Sequence, residues 1–418
     1  MKPRTNHRKI RLLMVLAVAS ALGGGTSLVV ATGAAQADPP STTGLVAVGA
    51  DVTQDLFDAY TGASPPPGLS GNTQATTFYT PLHSSDATDD FTIQSFDASP
   101  FGGTTTAPGC ITTKTGGPSF DRPNSTTNGI AALYDETVGT AWVNPTPSQS
   151  CTGTAVSVTG QIDFARAARG VKTTGTTLTF IPYARDALGI LRYDHGDGVI
   201  DSLTSAQLTT LYTSTNGKLT VGADTVYACL TISGSTPRSN LESALGITDA
   251  QASAAATAAG CNNITQNSGN AFYSGLPSAV TSVNTNDAVI PISSGSWESQ
   301  ANLVAVDRSA TARTNGVDLA AITDGSTPLG QPYTGTAPNE VPNTTYYSDT
   351  AFGYNLFTVV PSNKISGFTQ NLALESLFVG SGSALCSSTA QTTAHTFGFD
   401  SLTVAEGTCG STSATGNG

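Results

Sequence analysis

An arrangement that occurs three times limits the folds open to this chain: an apolar run, a polar loop rich in glycine, serine and threonine, and then apolar residues at helical spacing. In the first instance, residues 45–48 are apolar and a loop follows from Gly49. The residues that then share one helical face are Leu56, Phe57 and Tyr60. Such alternation of strands and helices predicts an α/β fold whose layers surround mostly parallel sheets.

The second and third loops have the same construction. The second spans residues 122–129, and the third spans residues 233–238 after a predicted strand at 227–232. The apolar residues that follow at helical spacing are Ile130, Leu133 and Tyr134 after the second loop, and Leu241, Ala244 and Leu245 after the third. Pro237 suits the first turn of a helix, where no backbone N–H is needed.

Loops of this kind can hold an anion, because the first turn of a helix leaves backbone N–H groups unpaired and has a partial positive charge. Each loop alone is also explained as an ordinary N-cap. Arg166 and Arg169 lie within four residues of each other and favour an oxyanion or carboxylate ligand, since a guanidinium binds such groups through two parallel hydrogen bonds. The alternative is that both arginines pair with carboxylates across a domain interface.

Residues 1–37 have the composition of a secretory signal peptide. Five basic residues lie before an apolar run at 12–21, and small residues precede a predicted cleavage after Ala37. The glycines at 23–25 interrupt the apolar run too early for a membrane-spanning helix. The first cysteine is Cys110, so no cysteine at the cleavage site can receive a lipid. We therefore expect a secreted, extracellular protein.

The mature chain is strongly acidic. Removal of residues 1–37 leaves 12 basic and 29 acidic residues, a net charge of −17. Such a surface excludes nucleic acid as a partner and argues against binding to or insertion into a membrane, because nucleic acid and anionic lipid both require a dense basic patch. An anion site must then be built from local dipoles and a few arginines. The mature length, 418 residues less 37, exceeds what one core usually supports and predicts two domains.

Six cysteines in an exported chain predict three disulfides. Of the fifteen connectivities we expect the sequential one: Cys110 with Cys151, Cys229 with Cys261, and Cys386 with Cys409. In the chain-entropy model each such loop stabilises the fold by roughly 3 to 4 kcal/mol. No Cys-x-x-Cys or paired-histidine spacing is present, so we expect no metal and no cofactor.

Five segments, taken in order, resemble the motif set of phosphate-type periplasmic solute-binding proteins, in the actinobacterial secreted branch. The segments are 49–54, 122–129, 163–166, 180–182 and 234–238. The resemblance covers most of the mature chain and implies the type 2 binding-protein fold, in which two α/β lobes joined by crossing strands enclose a ligand cleft.

Two apolar stretches, at 180–191 and 288–292, are predicted to be the crossings between the lobes. Lobe one then comprises residues 43–186 plus 294–418. Lobe two comprises residues 187–293.

The same resemblance implies a site for a small oxyanion, either phosphate or a phosphate-like anion. The residues that match the family's three anion loops are Thr53, Gln54, Thr126, Ser235 and Thr236. Arg238 matches an arginine that follows the third loop, and Arg166 and Arg169 complete the predicted ligand site. We expect a monomer that works with an ABC permease or without one.

The sequence departs from the family pattern in three places, one of which is the absence of the arginine that precedes the third loop in transporter receptors, where Leu230 and Thr231 lie here. Phosphate receptors have a carboxylate after the segment that matches 163–167, where it accepts the proton of phosphate, and here Ala168 or Arg169 occupies that position. Pro237 replaces the threonine of the third loop. Asp97 or Asp186 could supply an acceptor from another direction, and the alternative for each is a surface or capping aspartate.

We expect no enzymatic activity. The mature chain has three histidines, His83, His195 and His395, and lacks the His-Glu-x-x-His and Gly-x-Ser-x-Gly motifs. Residues 194–198 suggest a calcium loop, but the alternation of oxygen ligands fails at His195, which favours a plain turn. The alternatives to a binding protein are a structural or adhesive protein that keeps the fold without a ligand, and an extracellular hydrolase.

Overall fold

The structure is a computed structural model that describes residues 38–39, 42, 44–62, 79–84, 92–98, 109–146 and 149–418. The predicted signal peptide, residues 1–37, lies outside the described residues. None of the helices in the described part of the chain is both long enough and apolar enough to span a bilayer.

One strand of 21 residues, Thr173–Tyr193 (β8), organises the fold. Its second half is largely buried, because it runs through the middle of the largest sheet. The other strands are β1 (Leu45–Gly49), β2 (Ile93–Ser95), β3 (Cys110–Ile111), β4 (Phe120–Asp121), β5 (Ala141–Trp142), β6 (Val156–Ser157), β7 (Phe164–Ala167), β9 (Ser202–Thr204), β10 (Lys218–Val221), β11 (Asp224–Ala228), β12 (Asn286–Ser293), β13 (Asp318–Leu319), β14 (Ala321–Asp324), β15 (Thr327–Gly330), β16 (Tyr333–Thr334), β17 (Val341–Pro342), β18 (Gly353–Pro361) and β19 (Ala414–Asn417).

β8 joins two groups of strands into one ten-stranded sheet. The strand order is β10-β11-β12-β8-β18-β7-β1-β2, and β13 and β19 also pair with β8. The parallel pairs among the described strands of this sheet are β1 with β2, β1 with β7, and β11 with β12. The α/β class is confirmed, but the prediction of mostly parallel sheets is wrong, because β12, β13, β18 and β19 all run antiparallel to β8.

Many helices begin at side chains that accept hydrogen bonds from the first turn, as in the capping boxes of Thr204 with Gln207 and of Thr248 with Gln251. The helices are α1 (Gln54–Tyr60), α2 (Thr126–Val138), α3 (Ser205–Thr213), α4 (Thr236–Leu245), α5 (Asp249–Ala258), α6 (Gly269–Ser274), α7 (Ser278–Thr281), α8 (Ser294–Ala301), α9 (Ala310–Thr314), α10 (Thr344–Tyr347), α11 (Leu372–Phe378) and α12 (Ser388–Thr396). Short 3₁₀ helices lie at Asp51–Thr53, Ser362–Lys364 and Ala384–Cys386.

Helices cover both faces of the sheet. Alternate residues of a strand point to opposite faces: Leu45 and Ala47 of β1 pack with α1, α11 and α12, whereas Val46 and Val48 pack with α2. Two other apolar clusters flank the C-terminal half of β8, one with α3, α4, α5 and α10 and the other with α6, α7, α8 and α9.

The division into two lobes stays a prediction. Residues 35–418 form one contact unit, and β8 and β12, which contain the predicted crossings, are antiparallel neighbours within it. The apolar clusters at the C-terminal half of β8 include residues from 187 to 352. A second lobe defined by its core would therefore extend beyond residue 293, to about residue 352.

All three predicted transitions from loop to helix are confirmed. The N-cap residues are Thr53 before α1, Ser125 before α2 and Ser235 before α4. The strand predicted at 227–232 is displaced toward the N-terminus, because β11 pairs with β10 and β12 only as far as Ala228.

The three predicted disulfides are present with the predicted pairing. The Cα–Cα distances are 5.5 Å for Cys110–Cys151, 4.6 Å for Cys229–Cys261 and 5.8 Å for Cys386–Cys409. These distances lie in the usual range for disulfides. All six cysteines are therefore paired.

Candidate functional site

The N-termini of α2 and α4 face each other. The hydroxyl oxygens of Thr126 and Thr236 lie 3.1 Å apart and share a hydrogen bond, although 110 residues separate them in sequence. Thr126 Oγ1 also accepts a hydrogen bond from the backbone N–H of Ala168 at 3.1 Å. Both threonines are buried. The structure thus brings together predicted site residues from the second and third loops.

Close backbone packing holds α2 in this position. A Cβ atom on Gly129 would lie 2.5 Å from the Cα atom of Gly49, so only glycine permits this approach of α2 to the end of β1. Ser125 caps the helix by accepting a hydrogen bond from the N–H of Asn128 at 3.1 Å. The remaining first-turn N–H groups have no partner within the helix.

On the opposite side, α4 begins after the third loop. The hydroxyl of Ser235 bonds to the hydroxyl of Thr231 at 2.7 Å, which fixes the loop that leads into the helix. Pro237 lies in the first turn, as predicted, where its missing N–H is not needed. The positive ends of two helix dipoles therefore meet where Thr126 and Thr236 touch.

Arg169 has unused donors next to this junction. It follows Ala168, whose N–H bonds to Thr126, and its Nη1 donates to the adjacent carbonyl of Gly170 at 3.2 Å. Its Nε atom is buried and has no hydrogen-bond partner among the described residues. Burial lowers the pKa of Arg169 below its ordinary value, the effect expected for a guanidinium that is partly removed from water.

A second contact between distant parts of the chain, Asp51 with Asn267, joins the segment after β1 to the segment before α6. Asn267 donates from Nδ2 to Asp51 Oδ2 at 2.9 Å and accepts at Oδ1 from the N–H of Ser293 at 3.0 Å. Beside it, Gln266 is 2% exposed, and neither atom of its amide has a partner among the described residues. Asp51 Oδ1 and the hydroxyl of Ser294 are buried and unpartnered in the same way. Such groups mark places where a ligand or water supplies the missing hydrogen bonds.

Sequence reasoning did not identify Asp51, Gln266 or Asn267. Asp51 lies two residues before Thr53 in the first loop, and Gln266 and Asn267 follow no strand–loop–helix pattern. The backbone of Asn267 has a φ of 51°, a left-handed conformation that asparagine adopts more readily than most residues, and this is the one local feature that sets the residue apart. That feature is visible only in the folded chain.

Thr53 and Gln54 are buried at the start of α1. Thr53 lies beside the buried Tyr183, and α1 has only seven residues. A short helix of two turns offers a weaker anion site than α2 or α4 does, because fewer peptide dipoles add along its axis. Ligand contact by Thr53 and Gln54 stays a prediction.

Arg166 lies in the core behind the junction. Its side chain is 0% exposed and donates to the hydroxyl of Ser95 at 2.7 Å and to the carbonyl of Phe96 at 2.8 Å. Longer bonds run to the carbonyls of Gly49 at 3.4 Å and Ala50 at 3.3 Å. Its donors are thus directed at the end of β1 and the loop after β2, and its contact with a ligand stays a prediction.

Four carboxyl groups, of which Asp51 and Asp97 are buried and Asp55 and Asp58 are half-buried, lie around Arg166. Burial raises the pKa of Asp51 to about 6 and that of Asp58 to about 7, and it also raises the pKa values of Asp55 and Asp97. The charge of Arg166 opposes the increases at Asp55, Asp58 and Asp97. Arg166 therefore offsets the charge of this acidic cluster, while its hydrogen bonds run to Ser95 and to backbone carbonyls.

Arg238 is likewise bonded to the protein. Its Nε donates to Asp249 Oδ1 at 2.7 Å and to Glu242 Oε1 at 3.3 Å, and its Nη1 donates to the carbonyl of Thr231 at 3.1 Å. The residue is 2% exposed. These bonds fix the third loop and α4 against the start of α5, which is a positioning role for the predicted ligand residue.

Asp186, one of the two alternative acceptors, has all its hydrogen-bonding capacity occupied. It accepts from the hydroxyls of Ser293 at 2.6 Å and Tyr354 at 2.5 Å, and from the backbone N–H groups of Gly295 and Ala187. It therefore acts as a capping aspartate at the start of α8. Asp97, the other alternative, belongs to the cluster around Arg166.

Comparison with known proteins gives only remote likenesses. No protein-family model matches the chain, and no curated protein matches it. The crystal structure of an ABC-type phosphate transport receptor from Vibrio cholerae is 15% identical with a TM-score of 0.42, and the match covers 86% of this chain and 100% of that one. The crystal structure of PstS from Borrelia burgdorferi is 11% identical with a TM-score of 0.37, and the match covers 86% of this chain and 98% of that one. At these values the likenesses assign no function to this chain.

Proposed function

We propose that this chain is a secreted, two-lobed solute-binding protein of the type 2 kind, which captures phosphate or a phosphate-like oxyanion in the cleft between its lobes. The observation that supports the proposal is the contact between Thr126 and Thr236 at the meeting point of two helix N-termini, beside Arg169. Ordinary N-caps have no reason to face each other across a hundred residues of sequence.

The proposed ligand contacts are the first-turn N–H groups of α2 and α4, the hydroxyls of Thr126 and Thr236, and the guanidinium of Arg169. The anion takes the place of the direct bond between the two threonines. Ser235 contributes through its backbone, because its hydroxyl is bonded to Thr231. Asp51, whose pKa is about 6, supplies the carboxyl group that the family pattern has at Ala168.

The proposed partners follow from the same chemistry. The protein binds its anion as a monomer, with or without an ABC permease, and neither nucleic acid nor a membrane is a partner. No catalytic step is proposed, because the groups proposed for this site are hydroxyls, amides, one carboxyl and one guanidinium. His195, at a distance along β8, is bonded to the carbonyl of Val280 at 2.8 Å.

Calorimetric titration of the purified mature protein with phosphate tests the proposal. We expect saturable binding with one anion per chain, and Thr126→Val should weaken it by about tenfold, since a hydrogen bond to a charged group contributes about 1.5 kcal/mol. Thr393→Val is the matched control. Thr393 is also a buried threonine, but its hydroxyl bonds to the carbonyl of Thr389 within α12.

Absence of binding to phosphate, sulfate, phosphonates and sugar phosphates at millimolar concentration would contradict the proposal. The structural or adhesive protein would then be the better description.

A further inference from the structure

Three aspartates lie side by side at the C-terminal end of β8. Asp194 directly follows β8, Asp287 is the second residue of β12, and Asp224 is the first residue of β11. The pairing register places Tyr193 opposite Ala288, so Asp194 lies opposite Asp287. In the parallel pair of β11 and β12, Val226 pairs with Asp287. Asp224 lies two residues before Val226 on β11 and therefore shares its face. All three carboxylates therefore lie on one face, across three adjacent strands.

The turn after β8 adds a fourth carboxylate. His195 and Gly196 have positive φ angles of 53° and 83°, so the chain reverses direction here, as the predicted turn requires. Asp194 Oδ1 accepts a hydrogen bond from the N–H of Gly196 at 3.0 Å and fixes the reversal. The side chain of Asp197 is thereby brought into contact with that of Asp224.

Two members of this cluster, Asp224 and Asp287, have carboxylate oxygens that the described protein groups do not use, whereas Asp194 is bonded to Gly196 and Arg192. Asp287 is 0% exposed and Asp224 is 2% exposed. Both carboxylate oxygens of Asp287, and Oδ2 of Asp224, have no partner in the part of the chain that the structure describes. A buried carboxylate without a partner is strongly unfavourable, and several together are more so, because like charges on neighbouring strands repel.

The positive groups near the cluster do not neutralise it. Arg192 forms ion pairs with Asp194 and, at 2.5 Å, with Asp201, so one guanidinium is shared by two carboxylates. The ring of His195 is directed at the carbonyl of Val280. Burial and the charges of Asp224, Asp197 and Asp194 raise the pKa of Asp287 to about 7, against the effect of Arg192.

We propose that Asp194, Asp197, Asp224 and Asp287 bind one calcium ion, at a site separate from the anion junction. Calcium takes six to eight oxygen ligands, including carboxylates, in irregular geometry, which suits four carboxylates on three strands and a turn. The absence of thiol and imidazole from the four residues disfavours zinc. A bound dication satisfies the unpartnered oxygens and removes the repulsion among them.

The carboxylates must move closer together when calcium binds. The one group of three potential ligands among the described residues whose atoms already lie within 4.8 Å of one another is Cys110, Asp121 and Cys151. Its two cysteines form a disulfide, so that group is not a metal site. The sheet-end carboxylates are more widely spaced, so side chains on the strands as well as the exposed turn residue Asp197 must rotate to bring their oxygens around one ion.

Thermal unfolding of the mature protein, with and without calcium, tests this site. After treatment with EDTA and its removal, addition of about 5 mM calcium should raise the Tm by about 1 to 3 °C, since extracellular calcium sites bind with Kd values of about 0.1 to 1 mM and the unfolding entropy scales with chain length. Asp287→Asn should abolish this shift and should have a higher Tm than the metal-free wild type, because it removes one repelling charge at constant side-chain size.

Asp201→Asn is the matched control, because Asp201 also pairs with Arg192 but its side chain is 61% exposed. It should keep the full calcium shift. Direct calorimetric titration of the wild type gives the answer if a variant does not fold. If calcium produces no heat of binding and no Tm shift in the wild type, the proposal is overturned. A full calcium shift in Asp287→Asn, or binding of magnesium in preference to calcium, would also overturn it.

Discussion

Arg166→Ala is expected to lower the free energy of unfolding by about 3 to 5 kcal/mol, which is the cost of removing one partner from a buried charge cluster. The change leaves the carboxyl groups of Asp58 and Asp97 without their counterion and removes the hydrogen bonds to Ser95 and Phe96. Urea denaturation followed by circular dichroism measures it. The loss should be smaller at pH 5.5 than at pH 8, because Asp58, with a pKa of about 7, is then protonated.

A second substitution separates this explanation from simple loss of packing. Asp97→Asn in the Arg166→Ala background should recover part of the stability, since one uncompensated carboxylate fewer remains in the cluster. In the wild-type background the same change removes an attractive partner of Arg166. If Arg166→Ala unfolds like the wild type but no longer binds the anion, Arg166 is a ligand contact and not a counterion of the core.

Arg169→Ala is expected to weaken anion binding by at least about a hundredfold while leaving the unfolding midpoint nearly unchanged. A guanidinium that donates to an ionised ligand in a closed cleft contributes on the order of 2 to 5 kcal/mol to binding, and each 1.4 kcal/mol is tenfold in Kd. The side chain has no ion-pair partner among the described residues, so its loss leaves no protein charge uncompensated. Calorimetry and urea denaturation of the same preparation provide both values.

Lys172→Ala is the matched control for Arg169→Ala. Lys172 is close enough to Arg169 for their charges to interact, but it is exposed to solvent. Its removal changes the long-range field by the same unit charge, and water and salt screen that effect strongly. Equal losses of affinity in the two variants would show that the anion senses net charge only. Unchanged affinity in Arg169→Ala would remove Arg169 from the site.

The loops and the disulfides could be predicted from the sequence because their signals are local. Ser125 and Ser235 each precede apolar residues at helical spacing, and that pattern alone identifies a helix start. Pro237 adds a signal of the same local kind. The cysteines pair with their nearest neighbours in sequence, at separations of 41, 32 and 23 residues, so short loop closure was a sufficient guide.

The partners of the arginines could not be predicted, because they are distant in sequence. Arg166 bonds to Ser95 across 71 residues, and the motif around it contains nothing that indicates a surrounding acidic cluster. The contact between Asp51 and Asn267 spans 216 residues. The antiparallel pairing could not be predicted for the same reason. β18 lies late in the chain, and no local feature of its sequence fixes the direction in which it pairs with β8.

The binding of an anion between the N-termini of α2 and α4 is tested most directly by X-ray diffraction from crystals of the mature protein grown with arsenate. Anomalous scattering locates the arsenic without reference to any assumed ligand. We expect one arsenate per chain, with oxygens within about 3.2 Å of Thr126 Oγ1, Thr236 Oγ1 and the guanidinium of Arg169, and with the bond between the two threonines broken. Arsenate bound instead in the open cavity of about 540 Å³ lined by Arg192 and Arg313, or an intact bond between Thr126 and Thr236 with no arsenate beside it, would contradict the proposed site.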